Sequence, residues 1–217
     1  MVLFLKQTLL FKKHIDKISN STDLYYFIFW KRHMSKSALK ILDTAEKLFN
    51  ENSFVGVGVD LIRDESGCSK TTMYTYYKNK NQLVKSVLVA RDERFKQSLL
   101  GYVGDTTGLE AINKILDWHT NWFRQDFFKG CLFVRAVAES NQNDQDIISI
   151  SKAHKQWIKV LIAQNCNIPN GEALSELIYT VIEGLISRFL VDGFDETLAT
   201  NMKNSINQLF NIHRSEE

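Results

Sequence analysis

Proline occurs once in this 217-residue chain, at Pro169, while apolar residues recur at three- and four-residue spacing almost throughout. Proline's locked φ and missing N–H break helices, and that apolar spacing gathers side chains on one helical face. The expected fold class is therefore all-α, and no β-hairpin signature competes with it.

Forty-four per cent hydrophobic and 12% aromatic residues are enough to bury one large core or two small ones. Charge is nearly balanced, with 27 Lys and Arg against 25 Asp and Glu, yet Gly67 to Lys80 carries Lys70, Lys78 and Lys80 and no acid. That stretch is the expected place to meet phosphate. Cys68, Cys131 and Cys166 lie far apart with no CxxC pair, and the five histidines have no close ligand spacing. Neither a disulfide framework nor a metal site is expected, no cofactor is implied, and the cytoplasm is the expected compartment. The longest apolar run, Leu24 to Trp30, is far short of the roughly 20 residues of a membrane span. Residues 1–33 read as an N-terminal extension, disordered or untranslated, with Met34 as the working start, because the organised pattern begins at Ser35-Lys36-Ser37.

Ser35 or Ser37 can cap a first helix that places Ile41, Ala45, Leu48 and Phe49 on one face. A short helix from Gly58 to Ser66 follows, ended by Gly67, which supplies the positive φ of a tight exit. Ser69 caps a third helix, Lys70 to Tyr77, and its exposed first-turn donors favour a phosphate. Two short helices joined by a glycine turn are the geometry that puts a helix into the major groove. Met73 and Tyr77, four apart, are expected to point inward against Val59 and Phe49. Lys70, Thr71, Thr72, Tyr74, Thr75 and Tyr76 are then left toward DNA: Lys and Thr suit base edges, Tyr and Thr hydroxyls suit phosphates. Lys80 is expected to complete a phosphate clamp.

From Ile41-Leu42-Asp43-Thr44-Ala45-Glu46-Lys47-Leu48-Phe49, through Ser53-Phe54, to Gly67-Cys68-Ser69-Lys70-Thr71-Thr72-Met73-Tyr74-Thr75-Tyr76-Tyr77-Lys78-Asn79-Lys80, the chain resembles the TetR family. The resemblance covers about 45 residues and follows a pattern G-V-S-K-G-T-L-Y-x-Y-F-x-x-K. It implies a dimeric repressor with a three-helix helix-turn-helix domain at 34–80 and a ligand-binding and dimerisation domain at 81–217, about nine helices in all. Base contacts carried over fall on Lys70, Thr71 and Thr72, and phosphate contacts on Tyr74, Thr75 and Lys80. Val57 and Gly58 stand where the family has hydroxyl residues, and Arg63, where a small residue is usual, is a candidate to replace the lost phosphate contact.

Beyond residue 81 the pattern is only helical. Val181 to Gly193 is apolar around most of its circumference, so it must be covered on two sides. Resemblance implies that this helix and the last one, bearing Leu198, Met202, Ile206, Leu209 and Phe210, form a homodimer interface, and two-fold symmetry implies a pseudo-palindromic, double-stranded operator. Candidate ligand residues are Trp118, Trp122, Phe133, Arg135 and Trp157, since an apolar cavity with few polar groups is the usual small-molecule site, although an aromatic stripe is as readily plain core. Arg135 and Glu139, four apart, can pair with each other. Cys131, at the head of a short helix, is a candidate redox or electrophile-sensing thiol, against the alternative of an inert buried cysteine. No nucleophile elbow, metal pair or phosphate loop marks an enzyme. The chain reads as a repressor released by a small molecule, the alternatives being a helical DNA binder without ligand control or a small helical enzyme.

Overall fold

The computed structural model describes residues 34–141 and 144–214, so the expectation for residues 1–33 lies outside the described residues. Among those described, all regular structure is helical, in the order α1 (Lys36–Glu51), α2 (Val59–Ser66), α3 (Lys70–Tyr76), α4 (Lys80–Val103), α5 (Gly108–Phe123), α6 (Leu132–Ala138), α7 (Gln145–Gln164), α8 (Gly171–Asp192) and α9 (Glu196–Arg214).

Local chemistry sets the first boundaries. Ser35 Oγ accepts from Ala38 N at 3.1 Å and starts α1, while Asn52 closes it through its backbone and side-chain amides on the Leu48 carbonyl. Gly58 precedes α2 without a side-chain cap, as its lack of a hydroxyl requires. Gly67 adopts φ 60°, a left-handed conformation in which a Cβ would be strained. Ser69 Oγ accepts from Thr72 N at 3.0 Å to start α3, and Asn79 Oδ1 accepts from Gln82 N at 2.8 Å to start α4. The 24-residue α4 runs to Val103, and Gly104 at φ 60° ends it.

Two apolar cores lie end to end along the molecule. One gathers Ile41, Ala45, Phe49, Ile62, Met73 and Tyr77 of α1–α3 and its flank with Leu83, Val84 and Val87 of α4. It also takes in Leu132, Phe133 and Ala136 of α6 and Ile147 and Ile150 of α7, so the small N-terminal unit does not close on itself at residue 80. The other core joins Leu99, Ile112, Ile115, Ile158, Ile162, Ile178, Ile182, Phe189, Ile206 and Phe210. Helices α4 and α7 bury residues in both cores and so make the mechanical link between them.

Candidate nucleic-acid interface

Helix α3 has only seven residues, too few to be stable alone, so its packing decides its geometry. Met73 and Tyr77 are buried as expected, in the same core as Phe49, with Val59 packed against it. The Tyr77 hydroxyl donates to the Ala38 carbonyl at 2.9 Å and pins the end of α3 to α1. Burial pushes this phenol's pKa up, so it stays a neutral donor.

With that face fixed, Lys70, Thr71, Tyr74 and Thr75 are exposed on the other, next to Ser69. Their present partners are local. Thr72 Oγ1 lies 2.8 Å from Ser69 Oγ, and Thr75 Oγ1 donates to the Thr71 carbonyl at 2.8 Å. Lys70 Nζ reaches Asp60 Oδ1 of α2 at 3.3 Å. Such an exposed pair is held by well under about 1 kcal/mol, so Lys70 is available to a stronger anion.

Three expected contributors sit differently. Tyr76 is half-buried against the core rather than turned outward, because it lies beside Tyr77 at the point where the chain bends back toward α4. The Lys80 ammonium donates to the Val55 carbonyl at 3.3 Å, beside Glu139, and burial lowers its pKa. Arg63 is held by Asp60 at 3.0 Å and Asp64 at 2.7 Å, so it is not an uncommitted replacement for the missing hydroxyl contact.

Behind the helix-turn-helix lies a contact set that sequence reasoning missed. Arg135 of α6 does not pair with Glu139, nor does its guanidinium face the aromatic residues grouped with it as ligand candidates. Nη1 donates to the carbonyls of Phe49, Asn50 and Asn52 at 3.1, 3.0 and 3.1 Å, and Nη2 to that of Lys129 at 2.8 Å. These orphan carbonyls close α1, and a guanidinium fork suits them. Glu139 accepts from Val55 N at 2.9 Å, and Asn50 Nδ2 donates to the Phe127 carbonyl at 3.2 Å. Asn81 holds Asp144 and Lys85 holds Asp146 across α4 and α7. The partners of Arg135 on α1 lie more than 80 residues away in the chain, beyond the reach of any local pattern.

The remaining aromatic candidates do come together. Phe95, which the sequence did not single out for this region, is at their centre: its ring meets Trp118 at 4.7 Å and His154 at 4.8 Å, with Trp157 at 6.4 Å and Trp122 at 6.5 Å. Phe133 stacks on His154 at 3.7 Å and 13°. His154 Nδ1 lies 2.7 Å from Asp92, which Lys96 also holds at 2.7 Å. Burial lowers the His154 pKa despite Asp92 and lowers that of His119 to about 4, so both rings are neutral near pH 7. Cys131 is the N-cap residue of α6. Burial opposes the charge on Lys155, but the Cys131 sulfur and Glu183 outweigh it and raise the ammonium's pKa. Among the described residues no group of three or more His, Cys, Asp or Glu is placed to hold a metal ion.

Residues 41–87 match the model described as bacterial regulatory proteins, tetR family. The HTH-type transcriptional regulator UidR of Escherichia coli (strain K12) is 22% identical over 153 residues, covering 70% of this chain and 75% of the relative. A TetR-family transcriptional regulator from Streptomyces coelicolor superposes with a TM-score of 0.76 at 20% identity, over 91% of this chain and 98% of that one. FadR from Bacillus subtilis, solved in complex with stearoyl-CoA, gives 0.61 at 16% identity over 79% and 96%. The matched residues fall on α1–α3 and the first turns of α4, so the helix-turn-helix part of the chain is similar to that of the tetR-family regulatory proteins, and the described fold is the one shared by the TetR-family structures.

Proposed function

We propose that this protein is a ligand-responsive repressor: a homodimer that seats α3 in the major groove of each operator half-site and lets go when a small molecule binds its α4–α9 part. The observation that carries the reading is the sorting of α3, with Met73 and Tyr77 inward and Lys70, Thr71, Tyr74 and Thr75 outward beside the Ser69 cap. Lys70, Thr71 and Thr72 read base edges, while Ser69, Tyr74 and Thr75 hold phosphates, with Tyr76 and Lys80 at the margin of the contact. On this reading residues 34–80 are the DNA-binding domain and 81–217 the ligand and dimer domain, and the protein acts in the cytoplasm.

Dimerisation through α8 and α9 is supported by the outer face of α8. Ala173, Leu177, Gly184 and Val191 are exposed there at spacings of four and seven residues, with Val181 half-buried among them. Open space surrounds Gly184, which leaves room for a second helix to approach closely. Ligand control is supported by the aromatic group around Phe95, in which Trp118, Trp122, Phe133 and Trp157 take part, and the Bacillus subtilis FadR of the same fold carries an acyl-CoA. Arg135 then transmits the ligand's effect rather than touching the ligand. Cys131 beside Lys155 is the thiol proposed to react with electrophiles, and Cys131→Ser should abolish operator release by N-ethylmaleimide.

A gel shift on the protein's own upstream region, run across salt, tests the DNA reading. Affinity should fall steeply with salt, with Lys70→Ala lowering it by about 1–3 kcal/mol at its cognate base pair. Salt-indifferent binding, or none at low salt, would overturn it.

A further inference from the structure

Helix α6 has one apolar side that no other described residue fully covers. Val134 and Val137 are 52% and 40% exposed there, and they line a groove of about 780 Å³ between α6 and α7 together with Phe133, Ala138 and Ala153. The polar groups on its wall are Ser151, Lys152, Lys155, Gln156 and Lys159, which bring a hydroxyl, an amide and three ammonium groups, and no carboxylate lines it. Lys155 and Lys159 hold Glu183 at 2.7 Å and Glu176 at 2.9 Å on α8, whereas Lys152 is exposed at the rim.

Ser151 supplies an independent sign of a ligand. Its side chain is 3% exposed and its Oγ has no hydrogen-bond partner, although it sits on the wall of this groove. A buried hydroxyl left without a partner is costly, and an acceptor placed in the groove would relieve that cost.

We propose that the groove between α6 and α7 takes an apolar anion, an acid group on a hydrophobic body, and that filling it loosens the grip of α6 on the helix-turn-helix. The body lies against Phe133, Val134 and Val137, and the acid group accepts from Ser151 and faces the lysine rim. Away from the groove, the same seven-residue helix carries Arg135 and is capped at its end by Glu139, and the bonds of these two reach Phe49, Asn50, Asn52 and Val55. A helix of two turns moves as a rigid piece, so a body wedged on one side draws both bonded groups away from α1 and its exit. This inference rests on the ligand-responsive reading and names the ligand class and the route to the DNA-binding helices.

Isothermal titration of the full chain with decanoate, 1-decanol and decylamine tests it, since the three probes share a tail and differ in charge. Decanoate should bind roughly tenfold or more tighter than either control, because only it offers a charged acceptor. Val137→Trp, which fills the groove from an exposed position, should abolish decanoate binding, and Lys152→Glu, at the exposed rim, should weaken it roughly tenfold. Hydrogen exchange at the Val55 amide should speed up when decanoate is bound. Decanoate no tighter than decanol, or binding untouched by both variants, overturns the site, and Val55 exchange unchanged at saturation overturns the route to α1. Operator binding measured on the same samples without decanoate separates the readings: its absence would sink the repressor and leave the titration result standing.

Discussion

Helices α3 and α6 are both seven residues long, and they occupy opposite ends of the range of what so short a helix can do. Helix α3 has a side-chain cap, Ser69, and an inward anchor, Met73, and it turns its polar side to solvent. Helix α6 has no side-chain cap hydrogen bond and buries Leu132, Phe133 and Ala136, and its principal polar group, Arg135, reaches across to a segment more than 80 residues earlier. Neither would persist alone. The first starts at a local cap and packs on α1, with Tyr77 bonded to Ala38, while the second reaches carbonyls more than 80 residues earlier, so one presents a surface while the other joins two parts of the molecule.

Removing the anchor of α3 should have the largest effect. Met73→Ala leaves a cavity beneath the helix and should destabilise the protein by about 2–5 kcal/mol in urea melts, with operator binding lost at temperatures where the remainder is still folded. A fully retained operator affinity would show that α3 does not depend on its packing.

Acid should act away from α3, in the aromatic group of the C-terminal part that meets α6 at Phe133. His119 is depressed to about 4 from an ordinary 6.5, so between those values the unfolded chain binds the proton and the folded one does not. Stability is therefore complete above pH 6.5 and falls as pH drops toward 4, by on the order of 3 kcal/mol. His154, also depressed and stacked on Phe133 of α6, adds to the same slope. Melts at pH 7 and pH 4.5 should show it, with a smaller slope in His119→Gln. A flat profile across that window would remove the buried neutral histidines from the account.

Arg135→Ala comes next, at about 2–3 kcal/mol, because it leaves the carbonyls that close α1 without their charged donor. Its signature should be faster amide exchange around Asn52 and Val55 and weaker operator binding with α3 itself intact. An Arg135→Lys protein equal to wild type would show that a point charge suffices and that the fork geometry is irrelevant. Ser69→Ala is the smallest change, about 1 kcal/mol, and should fray only the first turn of α3. Equal losses from Ser69→Ala and Arg135→Ala would erase the contrast between locally and distantly held helices.

Much of α1–α3 could be read from the chain because each capping residue acts within four positions of its partner. Ser35 caps Ala38, Ser69 caps Thr72, and Gly67 takes the positive φ that its place between two helices requires. The inward turn of Met73 and Tyr77 follows from helical spacing alone, but the half-buried state of Tyr76 and the turn of Lys80 onto Val55 follow from how α4 packs back. In the C-terminal part the spacing of apolar residues announced the helices, including an α8 apolar on too many sides for a surface helix. It could not say that Phe95 would be the hub of the aromatic group, since a phenylalanine on an amphipathic helix looks the same whether it meets tryptophans or solvent.

The sequence by itself determined that this chain is helical, where α3 begins, and that Met73 and Tyr77 turn inward, because helix geometry and capping are local interactions. Only the tertiary structure decided that Arg135 closes α1 rather than pairing with Glu139, that Arg63 is held by two aspartates, and that one core runs from α1 through α6 into α7. Those outcomes depend on which buried carbonyls and apolar faces lack a partner once the helices have met, and no segment of the chain carries that information before it folds.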